Sequence, residues 1–373
     1  MSAAYSADDH RFMARALRLA ERGLCTTDPN PRVGCVLVRQ GQVVGEGWHR
    51  RAGEPHAERN ALAAAGDGAR GATAYVTLEP CSHHGRTPPC SQGLIEAGVS
   101  RVVAAMPDPN PLVGGEGLAA LRAAGIETEV GLLQTDAESL NPGFLQRMRR
   151  GRPYVRCKLA MSLDGRTAMA SGESQWITGA AARRDVQLLR ARSSAVLTGI
   201  GSVLADDPSM NVRLSIENLH GVENDGYRRQ PLRVVMDTRL RMPPRARMLA
   251  LGGETLIVCG EGASRDTEAE LRAAGADVRR LPQLGGRIDL SGMLQALAAR
   301  GANELLIESG ATLAGSALQA GLVDELIVYM APHLMGDAAR GLVRLPGLER
   351  LDERVGLRFR DVRRVGDDLR VEL

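Results

Sequence analysis

PHAERNALAAAG, residues 55–66, is the stretch of this sequence that says most about its fold and chemistry. Alanines and a leucine recur along it at the spacing of an amphipathic helix, so we expect a helix here. His56 and Glu58 then lie at the start of that helix, where they could form half of a metal site. A lone His-x-Glu pair is weak evidence. The other half of the site has to come from further along the chain.

The stretch LEPCSHHGRTPPC, residues 78–90, supplies two cysteines after a predicted strand and around the start of a predicted helix. Thiolates are favoured at helix N-termini, and one histidine with two cysteines is a zinc set that leaves the fourth position open. We therefore predict His56, Cys81 and Cys90 as zinc ligands and Glu58 as the proton shuttle. The alternative is that the two cysteines are simply buried thiols.

This order of histidine, glutamate and proline-cysteine is typical of zinc-dependent nucleobase deaminases, in which the glutamate is not a zinc ligand. The usual pattern places two residues between the cysteines. Here Cys81 and Cys90 are separated by eight residues. The sequence thus indicates a deaminase site with an inserted loop.

Composition limits the classes of protein that remain possible. A chain of 373 residues exceeds the usual size of one core, so we expect two domains. A net charge of +3 and 3% aromatic residues argue against nucleic-acid binding and favour small-molecule partners. The N-terminus is acidic where a signal peptide is basic, and no apolar run reaches membrane-spanning length. We expect a cytoplasmic protein with no membrane partner, whose six cysteines bind metal or are buried.

Hydrophobic periodicity predicts alternating strands and helices in both halves of the chain, with a boundary within residues 136–153. In the first half we expect strands at 33–39, 42–49, 73–80 and 101–106, and helices at 8–23, 55–66, 91–98 and 117–125. In the second half we expect strands at 154–163, 195–200, 231–237, 254–260, 304–309 and 325–332, two closing strands within 355–373, and helices at 181–193, 265–275, 290–301 and 313–321.

Two features of the second half indicate chemistry. ESGATLAGS, residues 308–316, is a glycine-rich turn between a strand and a helix, where main-chain amides can bind phosphate. Ser316 stands where an ATP-binding loop needs lysine, and an ordinary strand-to-helix turn is the alternative. Lys158 is the only lysine among 47 basic residues. A compact ammonium could be required at this position. The alternative is that this one lysine has been retained by chance.

The motifs together resemble those of the bifunctional deaminase/reductases of riboflavin biosynthesis. The matching stretches are TTDPNPRVGCVLV at 26–38, HAE at 56–58, PCSHHGRTPPC at 80–90, MPDPNP at 106–111, KLAMSLDGRTA at 158–168, SQWITG at 174–179, LADDP at 204–208 and ESGATLAGS at 308–316. The resemblance implies a cytidine-deaminase-like α/β/α domain over 1–148 and a dihydrofolate-reductase-like α/β domain over 149–373.

For the first domain, the resemblance implies zinc-dependent deamination of 2,5-diamino-6-ribosylamino-4(3H)-pyrimidinone 5′-phosphate. The implied substrate contacts are Asn30, His49, His83, Arg86, Asp108 and Asn110. His83, His84 and Arg86 could reach the phosphate or could equally be solvated loop residues. The alternative for Asn30 is that it has no substrate contact and only stabilises the turn in which it lies.

For the second domain, the resemblance implies NADPH-dependent reduction of the ribose chain. The implied cofactor contacts are Ala160, Trp176, Ser202, Asp206, Thr238, Gly310, Ala311, Thr312, Leu313, Ala314, Gly315 and Ser316, and the implied substrate contacts are Ser174, Arg190, Met210, Arg213 and Glu308. Lys158 or Asp206 is expected to assist the reaction as a polar group. Trp176 could as well pack in the core.

Three alternative functions remain open on the sequence. A nucleic-acid-editing deaminase shares the zinc chemistry but needs a basic track, which this chain lacks. A deaminase with a non-catalytic second domain would release ammonia without oxidising NADPH. A non-enzymatic zinc module would close its site with a fourth ligand, for which only His83 or His84 is available in this stretch. We expect a homo-oligomer, with a dimer as the expected state.

Overall fold

The computed structural model describes residues 5–82, 89–110, 114–215, 219 and 228–373. The described residues form two compact units: the first comprises those within 5–151 together with 219 and 228, and the second comprises those within 152–215 and 229–373. No helix in these described ranges has both the length and the apolar character needed to cross a membrane. Each unit is an α/β structure, as the alternating sequence pattern predicts.

The first unit is one sheet with helices on both faces. Its helices are α1 Ala7–Glu21, α2 Ala57–Ala65, α3 Cys90–Glu96, α4 Glu116–Ala123, α5 Gln134–Leu140 and α6 Pro142–Arg150. Its strands are β1 Gly34–Arg39, β2 Gln42–Trp48, β3 Thr73–Val76, β4 Arg101–Ala104 and β5 Glu127–Val130. The strand order is β2-β1-β3-β4-β5, with β1 antiparallel to both its neighbours and β3, β4 and β5 parallel.

Local sequence explains how α2 comes to lie against the sheet. The β1–β2 hairpin turns at Gly41, whose φ of +73° suits glycine, and this confirms the predicted hairpin. Gly47 on β2 then lets α2 approach closely, since a Cβ at this position would lie 2.6 Å from the main-chain nitrogen of Ala61. The close approach fixes the first turn of α2, which contains Glu58, relative to the sheet.

A buried polar network ties α1 to the same sheet. Asp9 is 5% exposed and accepts hydrogen bonds from the Tyr75 hydroxyl and the Arg101 guanidinium, both at 2.7 Å. Burial alone would raise the pKa of Asp9, but hydrogen bonds from Arg101, Tyr75 and Ser6 hold it well below its usual range. The network therefore stabilises the ionised carboxylate.

Three elements of the first unit were not predicted. Residues 136–153, expected to contain the domain boundary, are mostly helical and form much of α5 and α6, because Pro142 can begin a helix and Phe144 and Leu145 are buried. The chain passes from the first compact unit to the second between Gly151 and Arg152, within that segment. Strand β5 was missed because its sequence, ETEV, has no apolar alternation; it lies at the edge of the sheet and is only partly buried.

The second unit is built on a larger sheet. Its helices are α7 Ala180–Arg192, α8 Ile200–Asp206, α9 Arg265–Ala273, α10 Leu290–Ala299 and α11 Ala311–Gln319. Its strands are β6 Tyr154–Ser162, β7 Arg166–Ala168, β8 Ala195–Gly199, β9 Leu232–Met236, β10 Thr255–Gly260, β11 Asp277–Leu281, β12 Gln283–Leu284, β13 Arg287–Ile288, β14 Glu304–Glu308, β15 Glu325–Ala331, β16 Arg340–Gly341, β17 Asp361–Val365 and β18 Asp368–Glu372.

The main sheet of this unit has the order β11-β10-β9-β8-β14-β6-β15-β18-β17. Strands from β11 to β15 in that order are parallel, and the closing hairpin β17–β18 is antiparallel. Apolar clusters cover both faces, as expected for buried parallel strands. The carboxyl ends of the parallel strands therefore meet at one edge of the sheet.

Six elements of the second unit were not predicted: helix α8 and strands β7, β11, β12, β13 and β16. The predicted strand 195–200 ends at Gly199, and the chain turns directly into α8, a helix too short to show a clear apolar period. Strand β11 was missed because its sequence, DVRRL, is largely polar and it forms the edge of the sheet.

Candidate active sites

Three sulfur and nitrogen donors converge at the ends of three elements of the first unit. His56 occupies the N-cap position of α2, Cys90 is the first residue of α3, and Cys81 follows β3. The Nδ1 atom of His56 lies 3.6 Å from the Sγ of Cys81 and 3.4 Å from the Sγ of Cys90. Zinc bonds of ordinary length in a tetrahedron place nitrogen and sulfur about 3.6 Å apart. The donor set and its spacing fit a zinc ion.

The environment of Cys81 favours the thiolate that a metal needs. The main-chain N–H of Cys90 donates to the Sγ of Cys81 at 3.4 Å. Hydrogen bonds from Cys90 and from His56 lower the pKa of Cys81 to about 4. Among the described residues the cluster contains three donors, which leaves one position of a tetrahedron for a small ligand. His83 and His84, the only fourth ligands considered from sequence, lie outside the described residues.

Glu58 is a buried carboxyl group beside these donors. It lies in the first turn of α2, is 3% exposed and lines the same cavity as His56 and Cys81. Burial raises the pKa of Glu58 to about 7, and negative charge at Cys81 acts in the same direction. A carboxyl group in this environment can hold or release a proton near neutral pH.

The cavity above the donors has a volume of about 510 Å³. Its lining residues are Pro29, Asn30, Pro31, Val33, His49, Ala52, Gly53, Glu54, His56, Glu58, Leu78, Glu79, Cys81, Asp108, Asn110 and Phe144. The volume is in the range of small-molecule sites. The structure thus brings the four predicted substrate residues that it describes, Asn30, His49, Asp108 and Asn110, into one cavity with Glu58. His83 and Arg86 lie outside the described residues.

Hydrogen bonds orient two of these residues. His49 Nδ1 lies 3.2 Å from the carbonyl oxygen of Pro55, which can only accept, so Nδ1 carries the proton. His49 Nε2 must then accept from Asn30 Nδ2, which lies 3.0 Å away. Burial lowers the pKa of His49 to about 4, so the ring is neutral at physiological pH. Because Asn30 uses its Nδ2 atom to donate to His49, its Oδ1 atom faces the role of accepting a hydrogen bond from a ligand.

Sequence reasoning missed nine of the residues that line the cavity, among which Glu54, Glu79 and Phe144 carry an acidic or aromatic side chain. Phe144 lies on α6, within the segment that was expected to be a boundary. Phe144 is one of only three phenylalanines in the chain and lies in an amphipathic stretch, and these two features could have indicated its role from sequence. For Glu79, the only feature of the sequence that could have indicated a role is its position two residues before Cys81.

In the second unit, predicted substrate residues cluster at the carboxyl edge of the sheet. Lys158 on β6 and Glu308 on β14 are register partners on adjacent parallel strands. Arg190 donates to both carboxylate oxygens of Glu308, at 2.5 and 2.9 Å. Burial lowers the pKa of Lys158; burial acts to raise the pKa of Glu308, but Arg190 holds it below its usual range. Lys158, Arg190 and Glu308 therefore form one electrostatic cluster.

The other predicted substrate residues differ in how closely hydrogen bonds link them to this cluster. Arg190 donates to the carbonyl oxygen of Asn211 at 3.1 Å, and Arg213 donates to its Oδ1 at 3.2 Å, so the two arginines meet at one residue. Met210 is buried with a φ of +50°, which is uncommon for a side-chain-bearing residue. Ser174 is half-buried in the segment before α7, without a described bond to the cluster.

The predicted cofactor residues follow the carboxyl ends of several parallel strands. Ala160 lies on β6, Ser202 on α8 after β8, and Thr238 after β9. Gly310 is the N-cap residue of α11, and Ala311, Thr312, Leu313 and Ser316 lie on that helix with exposed or half-buried side chains. Open α/β sheets usually bind dinucleotides at the carboxyl ends of their parallel strands, the region to which Ser202, Thr238 and Gly310 belong.

Some predicted cofactor residues have other contacts. Ala314 and Gly315 are buried, and a Cβ on Gly315 would lie 2.1 Å from the carbonyl oxygen of Arg344. Asp206 is exposed and accepts from Gln175 at 3.3 Å rather than bonding Lys158. Trp176 is 68% exposed, with the Arg183 guanidinium 4.8 Å from its ring centre, so it does not pack in the core.

An open three-donor metal site beside a buried carboxyl group, on an α/β/α unit followed by a parallel-sheet unit, defines a zinc-dependent deaminase fused to a second catalytic domain. The family model described as "cytidine and deoxycytidylate deaminase zinc-binding region" matches residues 6–106, and the model of the RibD C-terminal domain matches residues 153–371.

Relatives that match over their full length identify the family more specifically. The riboflavin biosynthesis protein RibD of Escherichia coli is 54% identical, over 98% of this chain and 99% of the relative, and that of Haemophilus influenzae is 50% identical, over 98% and 97%. The solved structure of Acinetobacter baumannii RibD is 47% identical with a TM-score of 0.90, over 98% of both chains. A Thermotoga maritima deaminase/reductase structure is 31% identical with a TM-score of 0.83, also over 98% of both chains.

The chain therefore belongs to the RibD family of riboflavin biosynthesis. It is a bifunctional enzyme with a deaminase and a reductase activity, and it acts on small molecules. Its cofactors are Zn²⁺ and NADPH. These findings confirm the predicted fold class, enzyme class and cofactors.

Proposed function

We propose that the first unit deaminates 2,5-diamino-6-ribosylamino-4(3H)-pyrimidinone 5′-phosphate and that the second reduces the product to 5-amino-6-(5-phosphoribitylamino)uracil. The observation that carries this proposal is the convergence of His56, Cys81 and Cys90 below a cavity that contains Glu58. The Thermotoga maritima relative is described as a diaminohydroxyphosphoribosylaminopyrimidine deaminase and 5-amino-6-(5-phosphoribosylamino)uracil reductase, which supports the choice of substrate.

For the deamination, we assign His56, Cys81 and Cys90 to zinc. When bound, zinc supplies Lewis acidity that makes water a competent nucleophile near neutral pH. Glu58 takes one proton from the attacking water and passes it to the ring nitrogen; it then takes the remaining hydroxyl proton of the tetrahedral adduct and passes it to the amino group, which leaves as ammonia as the carbonyl forms. Its burial keeps bulk water away from this proton transfer.

We assign recognition of the pyrimidine to the polar wall of the cavity. Asn30 donates to neutral His49, so its Oδ1 can accept from an amino group of the substrate. Asp108 and Asn110 lie in the same cavity and offer further polar groups to the ring. Phe144 supplies an apolar surface on which a flat ring can pack.

For the reduction, we assign the Lys158, Arg190 and Glu308 cluster to the open ribose chain. When bound, NADPH supplies the hydride. Of the two groups considered for polar assistance, we favour Lys158, because it is half-buried beside Glu308 whereas Asp206 is exposed and bonded to Gln175. Arg213, which is less engaged by carboxylates than Arg190, is suited to the substrate phosphate.

The remaining assignments are also proposals. We place the deaminase within 1–148 and the reductase within 149–373, in a cytoplasmic protein that does not bind nucleic acid. None of the six cysteines, all of which the structure describes, forms a disulfide, which supports a reducing compartment. A homodimer is supported by edge strand β17, where Val362 is 53% exposed and the preceding Phe359 is 75% exposed. Sedimentation analysis of the purified chain measures this state.

The test of the function is the purified enzyme with the substrate and NADPH, with ammonia release and the absorbance of NADPH followed together. We expect one ammonia released and one NADPH oxidised per substrate. Ammonia without NADPH oxidation would instead support a deaminase with a non-catalytic second domain. Salt-sensitive RNA binding with no reaction on the pyrimidine would support an editing deaminase.

A further inference from the structure

Glu79 is a cavity residue to which neither zinc binding nor proton transfer assigns a role. It follows β3 directly before the Pro80–Cys81 pair and is 3% exposed. Its carboxylate accepts four main-chain N–H groups from one distant segment. The donors are Asp108 and Gly115 to Oε2, at 3.1 and 3.0 Å, and Gly117 and Leu118 to Oε1, at 3.1 and 3.3 Å. Both oxygens are therefore fully used as acceptors.

Three of these four donors belong to the start of α4. The first N–H groups of a helix have no partner within it, and a side chain at the N-cap residue usually binds them. The N-cap residue of α4 is Gly115, which has no side chain and a φ of +89°. Glu79 supplies the missing cap from the segment that follows β3. Its negative charge also suits the positive end of the helix dipole.

The fourth donor connects this cap to the substrate cavity. Asp108 gives its main-chain N–H to Glu79, and its own carboxylate accepts from the N–H of Asn110 at 2.8 Å. The N–H of Gly114 in turn donates to the carbonyl oxygen of Asn110 at 2.9 Å. The cavity wall formed by Asp108 and Asn110 is thus held from one carboxylate, which lies two residues before zinc ligand Cys81.

We propose that Glu79 is a positioning residue of the deaminase, which sets the distance between the Asp108–Asn110 wall and the metal site. A wall at the correct distance presents its polar groups to the pyrimidine ring while the reacting carbon faces the metal site. A residue that only capped α4 would affect stability without changing the affinity for substrate. The inference rests on the proposed deaminase role of the cavity.

Glu79→Gln tests the proposal, because the amide keeps the shape but one of its two ends can no longer accept. We expect the KM of deamination to rise about tenfold or more, with kcat changed less than about threefold, since lost recognition weakens ground and transition states alike. Bound zinc and reductase activity should be unchanged; retained zinc reports that the first unit is folded, and the reductase reports that the second is. Glu116→Gln is the matched control: it removes a charge from the same turn of α4, where Glu116 is exposed, and should leave KM unchanged.

A second variant moves the wall without touching the carboxylate. A Cβ added in Gly114→Ala would lie 2.9 Å from the carbonyl oxygen of Asp108, so the wall must shift. We expect the same rise in KM, and a double variant with Glu79→Gln that is less than multiplicative.

Several results would overturn the proposal: an unchanged KM in either variant, an equal effect of Glu116→Gln, or loss of zinc from Glu79→Gln. If Glu79→Gln fails to fold, the KM of Gly114→Ala decides the question. Failure of the wild-type enzyme to release ammonia would instead refute the proposed function, so the two failures are distinguishable.

Discussion

Replacing Glu58 with glutamine tests the proposed proton transfer most directly. The change keeps the size and polarity of a side chain that is 3% exposed, and it leaves the three donor atoms of the metal site in place. General acid–base groups contribute about 10²- to 10⁴-fold to a rate, or about 3 to 5 kcal/mol of barrier. The structure indicates where within that range this enzyme should fall.

Among the described residues that line the cavity, no other carboxylate is well placed to substitute for Glu58. Glu79 has both oxygens occupied by main-chain N–H groups, and Glu54 lies 3.9 Å from the Arg51 guanidinium. Asp108 accepts from the N–H of Asn110. We therefore expect the upper part of the range, a fall in kcat of about 10³- to 10⁴-fold with little change in KM.

The assay measures ammonia release by Glu58→Gln, its zinc content, and its reductase activity on separately prepared deaminated intermediate. We expect zinc and the reductase to be retained. Glu46→Gln is a control within the same unit, because it removes only an exposed ion pair with Arg15. Deamination by Glu58→Gln within tenfold of wild type would refute the assigned proton shuttle.

Three further predictions concern other parts of the chain. Lys158→Arg should lower the reductase rate at least tenfold and spare deamination, because a planar guanidinium does not fit the space of a half-buried ammonium; an unchanged NADPH oxidation rate would contradict this. Asp9→Asn should lower the free energy of unfolding by about 1–3 kcal/mol at neutral pH. Because the pKa of Asp9 is depressed in the folded state, its stabilisation is present above the ordinary value of about 3.9 and is lost as the pH falls below it. Denaturant unfolding of both proteins at several pH values should show this difference shrinking in acid. Gly34→Ala should destabilise by about 1–3 kcal/mol, since its Cβ would lie 2.0 Å from the Ala16 carbonyl oxygen, whereas Gly68→Ala, with its nearest neighbour at 3.4 Å, should be nearly neutral in the same measurement.

Local sequence signals were enough for the elements with strong apolar periodicity. The hairpin around Gly41, the helix that begins after His56 and the buried parallel strands of the second unit could all be predicted, because their patterns are short-range. The polar edge strands β5 and β11 could not, since an edge strand is specified by its neighbour rather than by alternation. Helix α6, within the predicted boundary segment, was not predicted because its apolar residues are few.

The sequence by itself determined the kinds of chemistry available: an imidazole, two thiols and a carboxyl group in a deaminase-like order, and one lysine in a chain of arginines. Only the tertiary structure decided that Phe144 completes the cavity, that Arg190 neutralises Glu308, and that Glu79 holds Asp108. The physical reason is that the sequence gives the type of each side chain directly. Its burial and hydrogen bonds instead depend on which distant segments the packed sheet brings together.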